Sequence, residues 1–222
     1  MKICSNSIPN SPPKQEHAYK GVFFVLWITC IFIPKREYNP IRTFWSVNMK
    51  QNLSVWQLGG FTFAVVLGTI LHFVFDWTKA YFLTPISAVN ESTWEHMKIL
   101  FFPMLVFALI QSPFFKEETG FWWIKLIGIL IGVLGIPVLF YTYNGAFGSS
   151  PDWLNILFFF LSAGIAYLVE YFLFRKGFTL SNTWIPVTVL TFFTAFFFVF
   201  TFYPPKLPLF QDPLTKTYGI VR

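Results

Sequence analysis

The 222-residue sequence is poor in charged residues and in cysteine. Only 12% of its residues are Asp, Glu, Lys or Arg, about half the fraction of an ordinary soluble domain. Its two cysteines, Cys4 and Cys30, are too few for a disulfide framework, and no cysteine or histidine spacing resembles a zinc motif. These shortages exclude a disulfide-stapled domain and a zinc finger, and they argue against a soluble globular protein.

Apolar and aromatic residues are abundant instead. They include 31 Phe and 9 Trp, and 55% of the chain is hydrophobic, which is more than one soluble core of this length needs. Strands are disfavoured, because lipid offers no hydrogen-bond partner to the unpaired backbone groups of an open sheet. The alternation of apolar and polar residues that marks a membrane barrel is also missing. The composition therefore predicts an all-α, polytopic bundle of membrane helices.

Five apolar segments are near the roughly 17–25 residues of a spanning helix. Tryptophan stands at or near the start of each, as expected where aromatic rings lie at the headgroup level. The second segment is marginal unless its helix begins near Ser92. The predicted spans are Val55–Asp76, His96–Ser112, Phe121–Tyr141, Trp153–Phe174 and Trp184–Tyr203.

We divide the chain into an N-terminal extension (1–48), the helical bundle (49–203) and a proline-rich tail (204–222). The extension holds one apolar run, Gly21–Ile33, whose reach of about 20 Å is short of the roughly 30 Å hydrocarbon core. Whether this run inserts as a sixth span stays open, as does a biological start at Met49. The tail cannot be helical; it is either disordered or a lid docked on the outer face.

Basic residues are concentrated near the N-terminus, where seven of the sixteen Lys and Arg precede Gln51. No basic stripe suited to nucleic acid is visible, so anionic membrane lipids are the expected partner. Basic residues of the short loops place the N-terminus inside and the C-terminus outside the cytoplasmic membrane. One side receives Lys50, Lys116, Arg175 and Lys176, and the other receives Lys79, Lys206, Lys216 and Arg222.

Small residues at helical spacing mark the third span, at Gly128, Gly132 and Gly135. Such residues let two helices approach closely. They predict packing within one protomer or, alternatively, the face of a homo-oligomer.

Polar residues gather at the predicted outer ends of the first two spans. Their connector is short, so the two helices should be antiparallel neighbours. His72 and Asp76 should then approach Glu95 or His96. The candidate binding residues are His72, Asp76, Asn90, Glu91, Glu95, His96 and Lys98.

A structural interpretation accounts for part of this group. Ser92 and Glu95 fit a capping box, in which the hydroxyl receives the Glu95 amide and the carboxylate reaches back to the Ser92 amide. Lys98 pairs with Glu95 at i+3 or extends to the interface.

A functional interpretation starts from the residues left over. A divalent metal could be held by His72, Asp76 and His96 with water in an open position. Glu91 or Glu95 would then be the candidate general base. A proton or cation relay through the same residues is the other alternative, and the cofactor stays undetermined.

Two charged residues lie deeper in the predicted membrane, Lys125 in the third span and Glu170 near the inner end of the fourth. Charges at that depth are costly unless paired. We expect a structural ion pair between Glu170 and Lys125, or Arg175, that ties the two spans together.

The strings "LHFVFDW", "NESTWEHMKILFFP" and "PPKLPLFQDPLTKTYGI" resemble a small family of bacterial polytopic membrane proteins known only as a domain of unknown function. The resemblance runs from Gln51 to the end and implies a bacterial integral membrane protein without an assigned activity. The motifs are also faintly similar to those of ceramidase-type membrane metal hydrolases, but the paired downstream histidines are missing.

Two functions follow as alternatives. The first is a non-enzymatic membrane protein that binds or passes a small ligand, lipid or ion at the outer polar residues. The second is a membrane-embedded, metal-assisted hydrolase of a lipid or headgroup.

Overall fold

The computed structural model describes residues 40–180 and 182–220, with side chains from Asn52 onward. The predictions for the apolar run Gly21–Ile33 and for a start at Met49 lie outside these described side chains. Residues 44–222 form one compact unit, and all that follows concerns the described residues.

The described residues form helices and no β-strand, which confirms the all-α prediction. Five helices are long and apolar enough to cross a membrane, and this fits an integral membrane protein. Short 3₁₀ turns follow the first and the last of them, at Tyr81–Leu83 and Pro208–Phe210. The helices are α1 (Pro40–Thr78), α2 (Thr93–Gln111), α3 (Phe121–Phe147), α4 (Asp152–Arg175) and α5 (Trp184–Phe202).

The start of α2 shows how a local signal fixes a helix boundary. Ser92 is the N-cap, and its side-chain oxygen accepts a hydrogen bond of 3.4 Å from the Glu95 backbone N–H. This cap satisfies one of the unpaired amides of the first turn. The helix therefore begins at Thr93, three residues before the predicted His96, which gives the second span its full length.

The second helix, α2, occupies the centre of the bundle. In its most apolar stretch 72% of the residues are buried, against 22–44% in the other four helices. Its Phe107 ring packs beside Gly60 of α1, and its Phe101 ring lies 4.9 Å from Phe197 of α5. Polar side chains on the first turns of α2 consequently enter the middle of the protein.

The glycines of α3 form a close contact with α4. A Cβ at Gly132 would lie 3.0 Å from the Cβ of Ala166, and one at Gly128 would collide with the Glu170 side chain. Gly135 likewise faces α4, through Ser162. The three glycines thus serve packing within the chain, and the homo-oligomer remains a prediction.

The proline-rich tail docks on the bundle through Phe210. This ring is 5% exposed and lies 4.6 Å from the Trp94 ring and 5.6 Å from the Phe200 ring. The tail then turns back on itself, with an antiparallel bridge between Gln211 and Tyr218. This docking brings the tail residues to the first turn of α2.

Candidate functional site

Two histidines and a glutamate converge where α1 ends and α2 begins. The rings of His72 and His96 have centroids 5.3 Å apart. Glu91 lies between them, with Oε1 at 3.5 Å from His72 Nε2 and Oε2 at 3.7 Å from His96 Nε2. One ligand atom from each residue lies within 4.8 Å of the others. We call these three residues the histidine–glutamate cluster.

The connector between α1 and α2 brings the cluster together. Beyond the helix end, the Ala88 backbone N–H donates a hydrogen bond of 3.1 Å to the carbonyl of Leu71. This contact returns the chain to the turn of α1 that carries His72, immediately before Glu91. The structure thereby places His72 beside His96, as expected for antiparallel neighbours.

His96 is oriented by its own helix. Its Nδ1 lies 3.0 Å from the backbone carbonyl oxygen of Ser92. A carbonyl only accepts, so Nδ1 carries a proton, and in the neutral ring Nε2 keeps a lone pair on the side of Glu91. Metal-binding histidines are commonly held in this way, by a backbone carbonyl on the other ring nitrogen.

The tail holds the loop that carries Glu91. The Glu91 backbone N–H donates to Asp212 Oδ2 at 3.4 Å, and the Asn90 side-chain amide donates to the Gly219 carbonyl at 2.9 Å. Asn90 Oδ1 in turn accepts from the Ser92 N–H at 2.9 Å. Two residues distant in sequence, Asp212 and Gly219, therefore help to fix the backbone beside the cluster.

Asp212 is the central acceptor of this docked loop. Burial raises the pKa of its carboxyl, but hydrogen bonds from the backbone amides of Leu214, Thr215 and Glu91 outweigh that effect and hold the pKa below its ordinary value. The charged carboxylate is thus the form that the fold stabilises.

Asp76 does not join the cluster. Its carboxylate lies 3.0 Å from the ammonium of Lys79, and both side chains are 68% exposed. Asp76 is one turn nearer the end of α1 than His72, where Lys79 at i+3 is available as a partner. The structure brings Glu91 to the histidines in place of Asp76, which the spacing along α1 could not indicate.

Glu95 points away from the cluster, into the protein. Its Oε2 lies 2.5 Å from Lys98 Nζ and accepts from the Val89 N–H at 3.1 Å. The expected return of the carboxylate to the Ser92 amide is therefore wrong. Glu95 pairs with the Lys98 ammonium instead of the Ser92 amide, because both charges are buried and each needs the other as its counterion.

Lys98 completes a fully buried network around Glu95. Its ammonium donates to the Thr84 carbonyl at 2.8 Å and to the Thr201 hydroxyl at 3.0 Å. The network joins the connector, α2 and α5. Thr84 and Thr201 were not among the predicted residues. Their only indication in the sequence is that each is a threonine within an apolar stretch.

The spacing of the cluster is near that of a metal site. Ligand atoms about 2.1 Å from a tetrahedral metal lie about 3.4 Å from one another. Here His72 Nε2 and His96 Nε2 lie 3.5 and 3.7 Å from different oxygens of Glu91, and the ligand atoms of the three residues lie within 4.8 Å of one another. Two imidazoles and one carboxylate form a donor set typical of transition metals and leave a fourth position for water.

The structure also brings Lys125 and Glu170 together, far from the cluster. Lys125 Nζ lies 2.5 Å from Glu170 Oε2, and the two side chains are 1% and 0% exposed. Arg175, the other predicted partner, instead donates to the Tyr171 hydroxyl at 3.2 Å on the surface.

Comparison with known proteins identifies the family without supplying an activity. No curated protein and no solved structure matches the chain. A family model does match, from residue 45 to residue 220, a range that includes the cluster, the buried networks and the docked tail. The chain belongs to DUF6512, a family of unknown function.

Proposed function

We propose that this membrane protein binds a divalent transition-metal ion at the histidine–glutamate cluster. The observation that carries the proposal is that His72, His96 and Glu91 each bring one ligand atom within 4.8 Å of the others. The three residues come from three different parts of the chain: α1, the connector and α2. Ionisable side chains are costly in an apolar bundle, so their presence together calls for an explanation.

The electrostatics of the cluster favour a cation. In the described part of the chain no Lys or Arg pairs with Glu91, so its negative charge is balanced only when a histidine is protonated or a cation is bound. The Glu91 side chain is 42% exposed and the histidines 21–22%. An ion can therefore reach the carboxylate from water.

The type of ligand selects among cations. Calcium and magnesium prefer shells made of oxygen atoms, whereas imidazole nitrogen suits zinc, copper, nickel and iron. With two nitrogen ligands and one carboxylate, the cluster fits Zn²⁺ and its neighbours better than Mg²⁺ or Ca²⁺.

The hydrolase alternative receives less support from the geometry. A hydrolase needs a base close to the metal-bound water. The Glu95 carboxylate is already paired with Lys98 and accepts the Val89 N–H. Glu91 is itself a candidate metal ligand, so neither glutamate is available as the base. We therefore favour binding or passage of the ion over hydrolysis. With the N-terminus inside, the cluster lies on the outer face of the cytoplasmic membrane.

Calorimetric titration of the purified protein with Zn²⁺ in detergent tests the proposal, provided that the affinity tag contains no histidine. We expect His96→Gln to weaken Zn²⁺ binding at least tenfold, since metal affinity depends on each ligand. Asp76→Asn is the matched control, because it removes a carboxylate one turn away that does not join the cluster.

Thermal unfolding supplies a second readout. A ligand at 100 times its Kd stabilises the folded state by about 2.7 kcal/mol, and His72→Ala should abolish that shift. Equal Zn²⁺ binding by wild type and by the His72→Ala, His96→Gln double variant would contradict the proposal, as would loss of binding in Asp76→Asn alone.

A further inference from the structure

Four helices each contribute one buried polar residue to the same level of the bundle. Gln57 of α1 and Gln111 of α2 are 5% and 0% exposed, and Lys125 of α3 and Glu170 of α4 are 1% and 0% exposed. We call these four residues the polar layer. It is distinct from the histidine–glutamate cluster and shares no residue with it.

Neighbouring residues establish the common level. On one side lies an apolar layer, made of Leu53, Phe115, Phe121, Ile124 and Phe174. On the other side Phe107 and Tyr167 belong to the main core, and Gly60 packs directly against both rings. Along the chain, Gln57 falls between Leu53 and Gly60, Gln111 between Phe107 and Phe115, and Glu170 between Tyr167 and Phe174. Each of these three residues is thus within about one turn of both neighbours on its own segment, and Lys125 is joined to the same level by its ion pair with Glu170.

The polar layer contains hydrogen-bonding atoms that the protein does not satisfy. Both amide atoms of Gln57 and of Gln111 are buried without a partner among the described residues, and so is Glu170 Oε1. The hydroxyl of Tyr167, which borders the layer from the main core, is likewise unpaired. Leaving such groups unpaired costs about 1–3 kcal/mol each. Six unpaired atoms in one region indicate that water is their partner, because bound water commonly satisfies buried polar groups.

The ion pair of the polar layer leaves one carboxylate oxygen, Glu170 Oε1, without a partner. Lys125 neutralises Glu170 through Oε2, and its ammonium also lies 5.7–5.9 Å from the ring centroids of Phe107, Phe121, Tyr167 and Phe174. From α1 and α2 only the uncharged amides of Gln57 and Gln111 are assigned to the layer. Arg175, the exposed residue that follows Phe174, is bonded to Tyr171. Glu170 Oε1, which lies beside Gly128 of α3, therefore has no hydrogen-bond partner and no second cation among the described residues.

A cleft reaches the apolar layer from the end of the bundle opposite the histidine–glutamate cluster. It has a volume of about 580 Å³ and is lined in part by Lys116, Glu118 and Thr183, together with Phe115 and Phe121. These two rings, 5.8 Å apart, also belong to the apolar layer. A single layer of side chains therefore separates the cleft from the polar layer.

We propose that the polar layer is a hydrated proton-exchange site, reached from the cleft past Phe115 and Phe121. In the exchange step, hydronium gives its proton to Glu170 Oε1 and leaves as water, and the carboxylate becomes a neutral carboxylic acid. Lys125 keeps its proton and its positive charge, for which the four surrounding aromatic rings compensate only in part once the carboxylate is neutral. This step requires no metal, so it stands or fails separately from the metal proposal.

Cysteine labelling tests the hydration. In a background with Cys4 and Cys30 replaced by Ser, Gln111→Cys should react with aminoethyl methanethiosulfonate at least tenfold faster than Leu126→Cys. Leu126 is the matched control, because it is adjacent to Lys125 but belongs to the apolar core. Adding Phe121→Ala should accelerate labelling at position 111. Equal, slow labelling at positions 111 and 126 overturns the proposed hydration.

Infrared spectroscopy of the protein in lipid vesicles tests the proton exchange. Lowering the pH should produce the C=O stretch of a protonated carboxylic acid that shifts in D₂O and is missing from Glu170→Gln. Glu170→Asp, which keeps the carboxyl group, should retain a shifted band if the Gln variant fails to fold. A pH-dependent spectrum that is unchanged in a folded Glu170→Gln variant refutes Glu170 as the acceptor.

Discussion

The ion pair between Lys125 and Glu170 can be tested through the stability of the folded protein. The change Glu170→Gln keeps the size of the side chain and removes its negative charge. The Lys125 ammonium, 1% exposed, then stays buried without its counterion. Breaking a buried pair in this way costs about 3–5 kcal/mol, so we expect the free energy of unfolding to fall by that amount.

The double variant decides whether the two residues interact. Lys125→Met removes the stranded charge and fills similar space among the four aromatic rings. Replacing both members of a buried pair is often neutral or stabilising. The double variant should therefore be more stable than Glu170→Gln alone, by about 2 kcal/mol or more.

Unfolding in mixed detergent micelles, followed by circular dichroism at increasing denaturing detergent, measures these differences. Lys116→Met serves as the control, because Lys116 is exposed and such surface changes usually fall within about 0.5 kcal/mol. If the effects of Glu170→Gln and Lys125→Met simply add, the pair contributes no coupling and our reasoning about it is refuted.

Two further predictions concern the tail and the orientation. Because the folded pKa of Asp212 is lowered, its contribution to docking is complete above about pH 4 and is lost as the pH falls through the folded value. A fluorophore at Leu214→Cys should gain mobility at that acid pH, whereas Asp212→Asn should show no such transition. Reporter fusions after Lys216 should be extracytoplasmic and those in the loop 114–120 cytoplasmic; the opposite pair of results would invert the proposed orientation.

The sequence predicted the helices well because their signals are local. Apolar length and flanking tryptophans marked the five spans, and Ser92 marked the start of α2. The ends were less accurate. Helix α3 continues to Phe147 rather than Tyr141, since no proline interrupts the polar residues that follow the apolar run, and α1 extends back to Pro40 through a segment whose composition is not that of a span.

The candidate site was predictable only in part, because its geometry depends on the connector and the tail. Periodicity placed His72 and Asp76 on one face, but it could not show that Glu91 would fold back to the histidines. The contact between Glu91 and Asp212 joins residues 121 positions apart, and nothing local indicates it. The same holds for the polar layer, whose level is visible only once four helices are packed.

The docked tail has a consequence for the order in which the molecule is made. His72, Glu91 and His96 leave the ribosome long before residues 212–219, which hold the Glu91 loop through Asp212 and Gly219. A nascent chain that has inserted α1 and α2 already contains both histidines. The loop that carries Glu91, however, is fixed only after α5 has been inserted and the tail has been synthesised and docked. The cluster is consequently among the last parts of the molecule to mature, although its three residues are among the first of the bundle to be synthesised.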